Sequence, residues 1–351
     1  MTAYILLPPV FAPPSFAPPL LPFAPFVPFE AKFLKISESK ENSIASSSLL
    51  LLLAALIWGS AFIAQSLGME HIGPLSFVSI RSFIGFIALI PVLLVIQKIQ
   101  KKKLLSESSA VSEKSPKASK FPKAIKGGIV CGIFLTVGMV CQQYGILYLT
   151  ETGGNIGKAG FITTMYILIV PILGLFFRQK VSPRLWISVA LAIVALYLLS
   201  VTDSFTISVG DSLLILCAFG FAAQILAADH FVKETNGVLL SCLQFLFCGL
   251  ITVIPAILIE KPSPEMILPA WKSLIYTGAF SSGIAFTLQI VAQKNLHPTV
   301  ASLLMSCESV FAVLSGFVIL GQVPSTRELI GSIIMFAAVI LAQLPSKAAS
   351  K

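Results

Sequence analysis

The stretch GGIVCGIFLTVGMVCQQYGILYL, residues 127–149, decides the fold class because it is long enough and apolar enough to cross a membrane. A transmembrane helix needs about 20 predominantly apolar residues, since each residue advances the helix by about 1.5 Å. The same criterion predicts further spans at 48–68, 74–97, 157–177, 184–201, 210–229, 237–259, 271–293, 298–320 and 325–344. We therefore predict an all-α polytopic membrane protein with ten transmembrane helices.

The composition excludes a single soluble domain. Of the 351 residues, 56% are apolar and 11% are charged, whereas soluble chains carry about 25% charged residues. Lipid lets apolar side chains face outward without the cost that water imposes. The six cysteines all lie in apolar runs. We therefore expect them to act as small apolar side chains and to form no disulfide framework.

The span at 127–149 has a counterpart in the second half of the chain. Gly132 and Gln143 recur as Gly278 and Gln289, both at an offset of 146. Eleven residues return a helix nearly to the same face, so each copy presents a small residue and an amide on one stripe. Because each unit has five helices, an odd number, the two units must cross the membrane in opposite orientations. Such inverted repeats are typical of secondary transporters that work by alternating access.

The chain divides into four parts. Residues 1–45 form a proline-rich leader, 46–201 the first repeat, 210–344 the second repeat and 345–351 a tail. Nine of the 22 prolines fall in the leader, and proline removes backbone donors and breaks helices, so the leader is predicted not to span. Its composition indicates a low-complexity polyproline-like segment. The alternative is that residues 1 to about 40 are not native sequence, since no methionine occurs between Met1 and Met69.

The distribution of lysine and arginine orients the helices. The amino terminus, the loops after the even-numbered spans 2 to 8 and the carboxyl tail hold 19 of these residues, against 4 in the remaining loops. The positive-inside rule therefore predicts both termini in the cytoplasm, and we expect the plasma (cell inner) membrane. Nine lysines lie in 98–126. We predict that this segment is a solvated loop; the alternative is that it binds anionic lipid head groups. It lacks interleaved aromatic residues, so no nucleic-acid partner is predicted.

Three segments and one arginine resemble the EamA family of the drug/metabolite transporter superfamily. They are IWGSAF at 57–62, Arg81, AGFITTMYILIVPILG at 159–174 and CESVFAVLSGFVILGQ at 307–322. The likeness covers about 46–344 and implies ten helices, two EamA repeats and a central cavity for small metabolites, amino acids among them. The family's usual Glu-Pro pair is Glu308 followed by Ser309 here, so the resemblance does not fix the helix geometry at that point.

Arg81 and Glu308 are the charged residues well inside predicted spans. Charges in a membrane are costly and face the bundle interior, a cavity or each other, so both are candidates for a substrate cavity. The planar guanidinium of Arg81 suits an anionic substrate group; a structural pair or a snorkelling side chain is the alternative. The Glu308 carboxyl lies at mid-membrane, where it suits proton coupling, and holding helices together is the alternative.

Uncharged polar residues complete the predicted cavity. They are Trp58, Gln143, Tyr166, Gln224 and Gln289. Amides at mid-span need partners and can serve a substrate or a neighbouring helix equally well. Trp58 shares a helix face with Gln65, and its ring can stack on a ligand or pack in the core.

No motif indicates a cofactor or an enzyme. The run GGNIGKAG at 153–160 fails the Walker spacing, and the three histidines lack metal-ligand spacing. We therefore predict a secondary-active transporter of a small amino-acid-like or other polar or amphipathic metabolite, working by alternating access without a cofactor. The alternative is a non-transporting membrane assembly or lipid-handling partner with the same fold. The coupling ion and oligomeric state do not follow from the sequence.

Overall fold

The computed structural model describes residues 40–107, 120–152, 156–200, 208–321 and 323–344. Most of the predicted leader, the centre of the predicted loop 98–126 and the carboxyl tail lie outside these residues. The long helices are α1 (Lys40–Met69), α2 (Pro74–Glu107), α3 (Lys120–Glu151), α4a (Ile156–Thr164), α4b (Tyr166–Phe176), α5 (Pro183–Ser200), α6 (Val209–Val232), α7 (Gly237–Pro255), α8 (Trp271–Gln293), α9a (Pro298–Met305), α9b (Glu308–Leu320) and α10 (Thr326–Gln343). A π-helical turn, Ala256–Glu260, and a short helix, Pro264–Ile267, connect α7 to α8.

These helices confirm the predicted all-α membrane fold. Within the described residues, nine helical spans are long and apolar enough to cross a membrane, and the shorter apolar helix Pro183–Leu199 supplies the tenth segment. Large apolar side chains point outward, among them Phe176 and Val318, which are 80% and 79% exposed. Water would penalise such a surface, whereas a bilayer accommodates it.

The ends of the lysine-rich stretch 98–126 differ from the prediction. Helix α2 continues to Glu107 and α3 begins at Lys120, so the predicted loop is wrong at both of its ends. Lysine, leucine, glutamate and glutamine are good helix formers, and a helix need not stop where the bilayer ends. Hydropathy locates the membrane-embedded part of a helix and misses such extensions.

The two repeats interlock. Helix α3 packs against α6 and α7 of the second repeat, and its counterpart α8 packs against α1 and α2 of the first. Two further large contacts, α2 with α7 and α5 with α10, join equivalent helices, and α9b packs against α1 as α4b packs against α6. Glycines bring α3 and α6 close together, because a Cβ added to Gly220 would lie 2.6 Å from the Gly138 nitrogen. Each contact recurs with the repeats exchanged, as an inverted repeat requires.

Both α4 and α9 are interrupted at mid-membrane. Met165 separates α4a from α4b, and Cys307 lies in the corresponding break of α9, at the offset of 142 that also relates Gly174 to Gly316. Tight bonds between residues three apart mark both breaks: Met165 N donates to the Ile162 oxygen at 3.1 Å and Cys307 N to the Leu304 oxygen at 3.3 Å. The break in α9 therefore forms without a proline after Glu308.

Candidate functional site

A cavity lies at the centre of the bundle, between the two repeats. It is lined by Trp58, Phe62, Gln65, Arg81, Met139, Gln142, Thr163, Tyr166, Phe221, Gln224, Ile225, Ser281, Phe286, Gln289, Met305 and Glu308. Its volume is about 50 Å³, enough for a few water molecules. Ligand pockets usually measure about 300–1,000 Å³. The cavity in this structure is therefore much smaller than a typical ligand pocket.

The structure brings most of the predicted cavity residues together. Six line the cavity: Trp58, Arg81, Tyr166, Gln224, Gln289 and Glu308. Gln143 is fully buried outside the lining, and the neighbouring Gln142 takes its place. Neither polar atom of the Gln143 side chain has a hydrogen-bond partner among the described residues.

Arg81 is held by neutral groups. Its Nη1 donates to Gln65 Oε1 at 3.0 Å, Nη2 to Ser281 Oγ at 3.2 Å and Nε to Ser282 Oγ at 3.3 Å. The side chain is only 3% exposed and has no acidic partner within the described part of the chain. A buried charge is costly unless it is paired. An anionic group entering the cavity would supply the missing counter-charge.

The two serines that bond to Arg81 belong to an unusual part of α8. Residues Tyr276–Ala285 are π-helical, and π-helical segments widen a helix and occur frequently at functional sites. The widened turn places the Ser281 and Ser282 hydroxyl groups toward α2 and leaves the Ser281 carbonyl to accept a bond from Trp58 Nε1 at 3.2 Å. This segment thereby positions both Arg81 and Trp58.

Glu308 is the first residue of α9b and lies at the contact between the two repeats. Its Oε1 accepts hydrogen bonds from Thr164 Oγ1 at 3.1 Å and from Tyr166 Oη at 3.2 Å. The carboxyl is 6% exposed and forms no ion pair among the described residues. The start of a helix favours a negative charge. The helix start and the two hydrogen-bond donors therefore offset part of the cost of burying this carboxyl, and Arg81 lines the same cavity without forming an ion pair with it.

Buried amides form a directed chain across the second repeat. Gln289 Nε2 donates to Gln224 Oε1, and Gln224 Nε2 donates to Gln244 Oε1, both at 3.0 Å. Gln289 Nε2 also donates to Gln293 Oε1 at 3.4 Å, and Gln293 Nε2 donates to the Ile225 carbonyl at 3.2 Å. Hydrogen bonds that run in one direction polarise one another. Gln224 and Gln289 at the cavity wall are thereby held in one orientation.

Aromatic rings form the apolar wall. The rings of Trp58 and Phe286 are 4.8 Å apart in an edge-to-face arrangement, and Phe245 packs behind Phe286 at 5.4 Å. Such pairs stabilise packing beyond the area they bury. The wall gives the cavity an apolar surface in addition to its charged groups.

Sequence reasoning missed several residues at the site. They are Gln65, Gln142, Thr163, Thr164, Gln244, Gln293, Ser281 and Ser282. Two had a signal: Gln65 shares a helix face with Trp58, and Gln244 stands seven residues after Gly237, as Arg81 stands seven after Pro74. The serines gave none, because serine is common at helix contacts in membranes.

The described residues contain no group of three or more His, Cys, Asp or Glu that could hold a metal ion, and every cysteine side chain is free. A central cavity between two inverted repeats in a bundle of membrane-spanning helices is the architecture of a polytopic membrane protein. The family comparison agrees: residues 45–201 and 208–344 match the model of the EamA-like transporter family. The chain belongs to the EamA-like transporter family, a family of membrane transporters.

Individual relatives support this assignment. An uncharacterized transporter from Archaeoglobus fulgidus is 28% identical over 295 residues, which cover 84% of each chain. The protein PecM from Dickeya dadantii is 28% identical over 99 residues, which cover 28% of this chain and 33% of PecM. A solved crystal structure superimposes with a TM-score of 0.67 at 17% identity, covering 88% of this chain and 99% of that one. At this identity the superposition shows the shared fold alone.

Proposed function

We propose that this chain is a secondary transporter that carries a small amino-acid-like metabolite by alternating access, driven by a proton gradient. The observation that carries the proposal is the pair Arg81 and Glu308. Both are buried at one cavity, and neither has an oppositely charged partner within the described residues. A substrate carboxylate would bind Arg81, and Glu308 would take a proton or the substrate's ammonium group.

The remaining cavity residues would select and orient the substrate. Gln224 and Gln289 offer fixed amides, Tyr166 a hydroxyl group, and Trp58 an apolar face. The small volume of the cavity supports a state closed around its centre, from which the two repeats open alternately to either side. By charge distribution, both termini would face the cytoplasm in the plasma membrane.

The test is transport by the purified full-length chain in proteoliposomes with an imposed pH gradient. We expect gradient-driven accumulation of at least one labelled compound from a panel of amino acids and carboxylic acids, abolished by a protonophore. Arg81→Gln should raise the substrate concentration for half-maximal uptake by about tenfold or more, because a bond to a charged group contributes about 1.5–3 kcal/mol. Arg327→Gln on α10, which bonds to the Tyr197 carbonyl outside the cavity, serves as the matched control.

Glu308→Gln separates coupling from binding. We expect this variant to exchange substrate across the membrane at equal concentrations but to lose accumulation driven by the pH gradient. Unchanged accumulation would remove Glu308 from proton coupling. A folded native protein that moves none of the compounds would contradict transport of this class and favour a non-transporting membrane partner.

A further inference from the structure

An ion pair joins the two repeats at the end of the bundle where α4a and α6 begin. Lys158 Nζ of α4a lies 2.8 Å from Asp211 Oδ2 of α6. The two side chains are 17% and 3% exposed, so salt screens this pair less than it screens a pair at the surface. Neither residue lines the central cavity. The pair therefore lies outside the site described above.

Asp211 is held in place by its own helix. Ser208 N donates to the same Oδ2 at 2.7 Å, and the Ser208 hydroxyl accepts from Asp211 N at 3.2 Å, so both residues form the N-terminal cap of α6. Gly210 lets this helix start pack closely on α3, because an added Cβ would lie 3.0 Å from the Gly145 oxygen. The second repeat thus presents a fixed carboxylate, to which Lys158 reaches from the first.

The pair lies between the central cavity and the end of the bundle. Thr163 of α4a lines the cavity, and its hydroxyl accepts a weak bond from Cys217 Sγ of α6 at 3.9 Å. Lys158 is five residues before Thr163, about 7.5 Å nearer the start of α4a. Asp211 is six residues before Cys217, about 9 Å nearer the start of α6. A solute that entered the cavity between these two helices would have to separate both contacts.

The equivalent contact in the other repeat lacks this ion pair. Helix α9a packs against α1 at the opposite end of the bundle, as α4a packs against α6. At the offset of 142 that relates α4 to α9, Lys158 corresponds to Val300, an apolar residue packed against the hydrophobic core. Just before α9a begins, Asn295 Nδ2 donates to Ser47 Oγ of α1 at 3.1 Å, a bond between neutral groups. The two equivalent contacts are therefore closed by different chemistry.

We propose that Lys158 and Asp211 form an ionic lock that keeps the bundle closed between α4a and α6. The inference rests on the proposed alternating access, in which the two repeats separate at each end of the bundle in turn. Separation of α4a from α6 requires the pair to break, and a buried charge left without its partner is costly. Opening at this end therefore depends on breaking an ion pair, whereas the equivalent contact of α9a with α1 separates without that cost.

A native cysteine reports whether this contact is open. Cys217 is fully buried beside Thr163, and Cys131 is fully buried on α3 in a separate apolar cluster. The full-length chain in lipid nanodiscs is treated with a charged, membrane-impermeant thiosulfonate, and mass spectrometry measures the labelling rate of each cysteine. Lys158→Met should raise the labelling rate of Cys217 about tenfold and leave that of Cys131 unchanged.

Lys233→Met is the matched control. Lys233 pairs with Asp229 at the same distance, 2.8 Å, and that carboxyl is also buried, at 4% exposed, but both residues lie at the end of α6. This pair joins no second helix, so its loss should leave the labelling of Cys217 unchanged. Lys158→Arg keeps the charge and should retain most of the native protection. Equal effects of Lys158→Met and Lys233→Met, or equal rises at Cys217 and Cys131, would overturn the lock.

The labelling experiment is independent of the transport assay. It needs no substrate, so a chain that moves none of the tested compounds can still show the lock. An unchanged labelling rate of Cys217 in Lys158→Met would overturn the lock and leave the proposed function standing. Asp211→Asn removes the charge but can still accept from Ser208 N, and it should raise the labelling of Cys217 by a similar factor. Should Lys158→Met fail to fold, Asp211→Asn decides alone.

Discussion

The breaks in α4 and α9 occupy equivalent positions in the two repeats and differ in the residue that follows. Tyr166 begins α4b and Glu308 begins α9b, 142 residues later. They meet across the repeat interface, where Tyr166 Oη donates to Glu308 Oε1 at 3.2 Å. A donor and an acceptor face each other there because the copies have diverged; two carboxylates at this distance would repel. The inverted repeat is thus symmetric in its backbone and asymmetric in its chemistry.

The surroundings of the two breaks also differ. Gly59 on α1 lets α9b approach closely, since a Cβ there would lie 2.7 Å from both the backbone carbonyl oxygen of Glu308 and the backbone nitrogen of Ala312. Gly160 in α4a has no atom within 4 Å of the corresponding added Cβ. The start of α9b is therefore clamped against α1 at Gly59, whereas the free space in α4a lies at Gly160, five residues before the break at Met165.

Gly59→Val should lower the free energy of unfolding more than any of the substitutions that follow. Its side chain would collide with backbone atoms of α9b, and overpacking of this kind costs about 3 kcal/mol. Gly160→Ala, the matched control, should leave stability unchanged or raise it by about 1 kcal/mol, because alanine is the better helix former. Denaturant titration in mixed micelles, followed by circular dichroism, measures both. Equal stability of the two variants would contradict the clamp.

The starts of α2 and α7 offer the next comparison. Asn236 caps its own helix by accepting from Leu239 N at 3.0 Å. Its counterpart Gly73 has no side chain, and Glu260, the last residue of the π-helical turn after α7, accepts instead from Leu75 N and Ser76 N at 2.8 and 2.7 Å.

Glu260→Ala should therefore cost about 2 kcal/mol and Asn236→Ala about 1 kcal/mol, since the first removes two capping bonds and the second one. The same unfolding titration measures both variants. A smaller loss for Glu260→Ala than for Asn236→Ala would show that the link between repeats contributes less than a local cap.

Tyr166→Phe tests the polar contact at the breaks with a smaller effect. Hydrogen bonds between membrane helices contribute on average about 0.6 kcal/mol and at most about 1.7 kcal/mol, and a carboxylate acceptor favours the upper part of that range. We expect Tyr166→Phe to lower the free energy of unfolding by about 1 kcal/mol. A double-mutant cycle with Glu308→Gln should show that the two losses are not additive; additive losses would mean that the two side chains do not interact in the membrane.

The ends of α4b and α9b, where Arg178 and Gly321 are left-handed at φ +56° and +69°, give the smallest expected change. Arg178→Gly relieves a left-handed residue but adds the flexibility of glycine to the unfolded chain, so stability should rise by about 0.5 kcal/mol. Gly321→Ala should lower it by a similar amount or somewhat more. Thermal unfolding of both variants beside the native chain measures the pair. A destabilised Arg178→Gly would mean that the arginine side chain stabilises the fold itself.

Most of the fold follows from the sequence because hydropathy and helix length determine it. All ten spans appear near their predicted positions, and the offset that relates Gln143 to Gln289 places α3 and α8 in equivalent environments. The breaks in α4 and α9 were not predicted, because neither break contains a proline or a glycine and an apolar pattern does not show where a helix is interrupted.

The site is less predictable than the fold. Charge scarcity selects Arg81 and Glu308, because a buried charge is expensive wherever it lies. An amide carries no such penalty, so spacing alone cannot tell Gln142, at the cavity, from Gln143, which is behind it. One residue turns a helix by about 100°, and the direction of the cavity depends on contacts between distant helices.

The interlocked packing of α3 and α8 has a consequence for biosynthesis. Helix α3 leaves the ribosome before α6 and α7, the helices against which it packs, so the first five helices must wait in the bilayer with their glycine faces covered by lipid. A truncated first half should therefore be inserted yet remain loosely associated, and should mature when the second half is supplied on a separate chain. The two halves of this chain should therefore associate only after the second half has been translated.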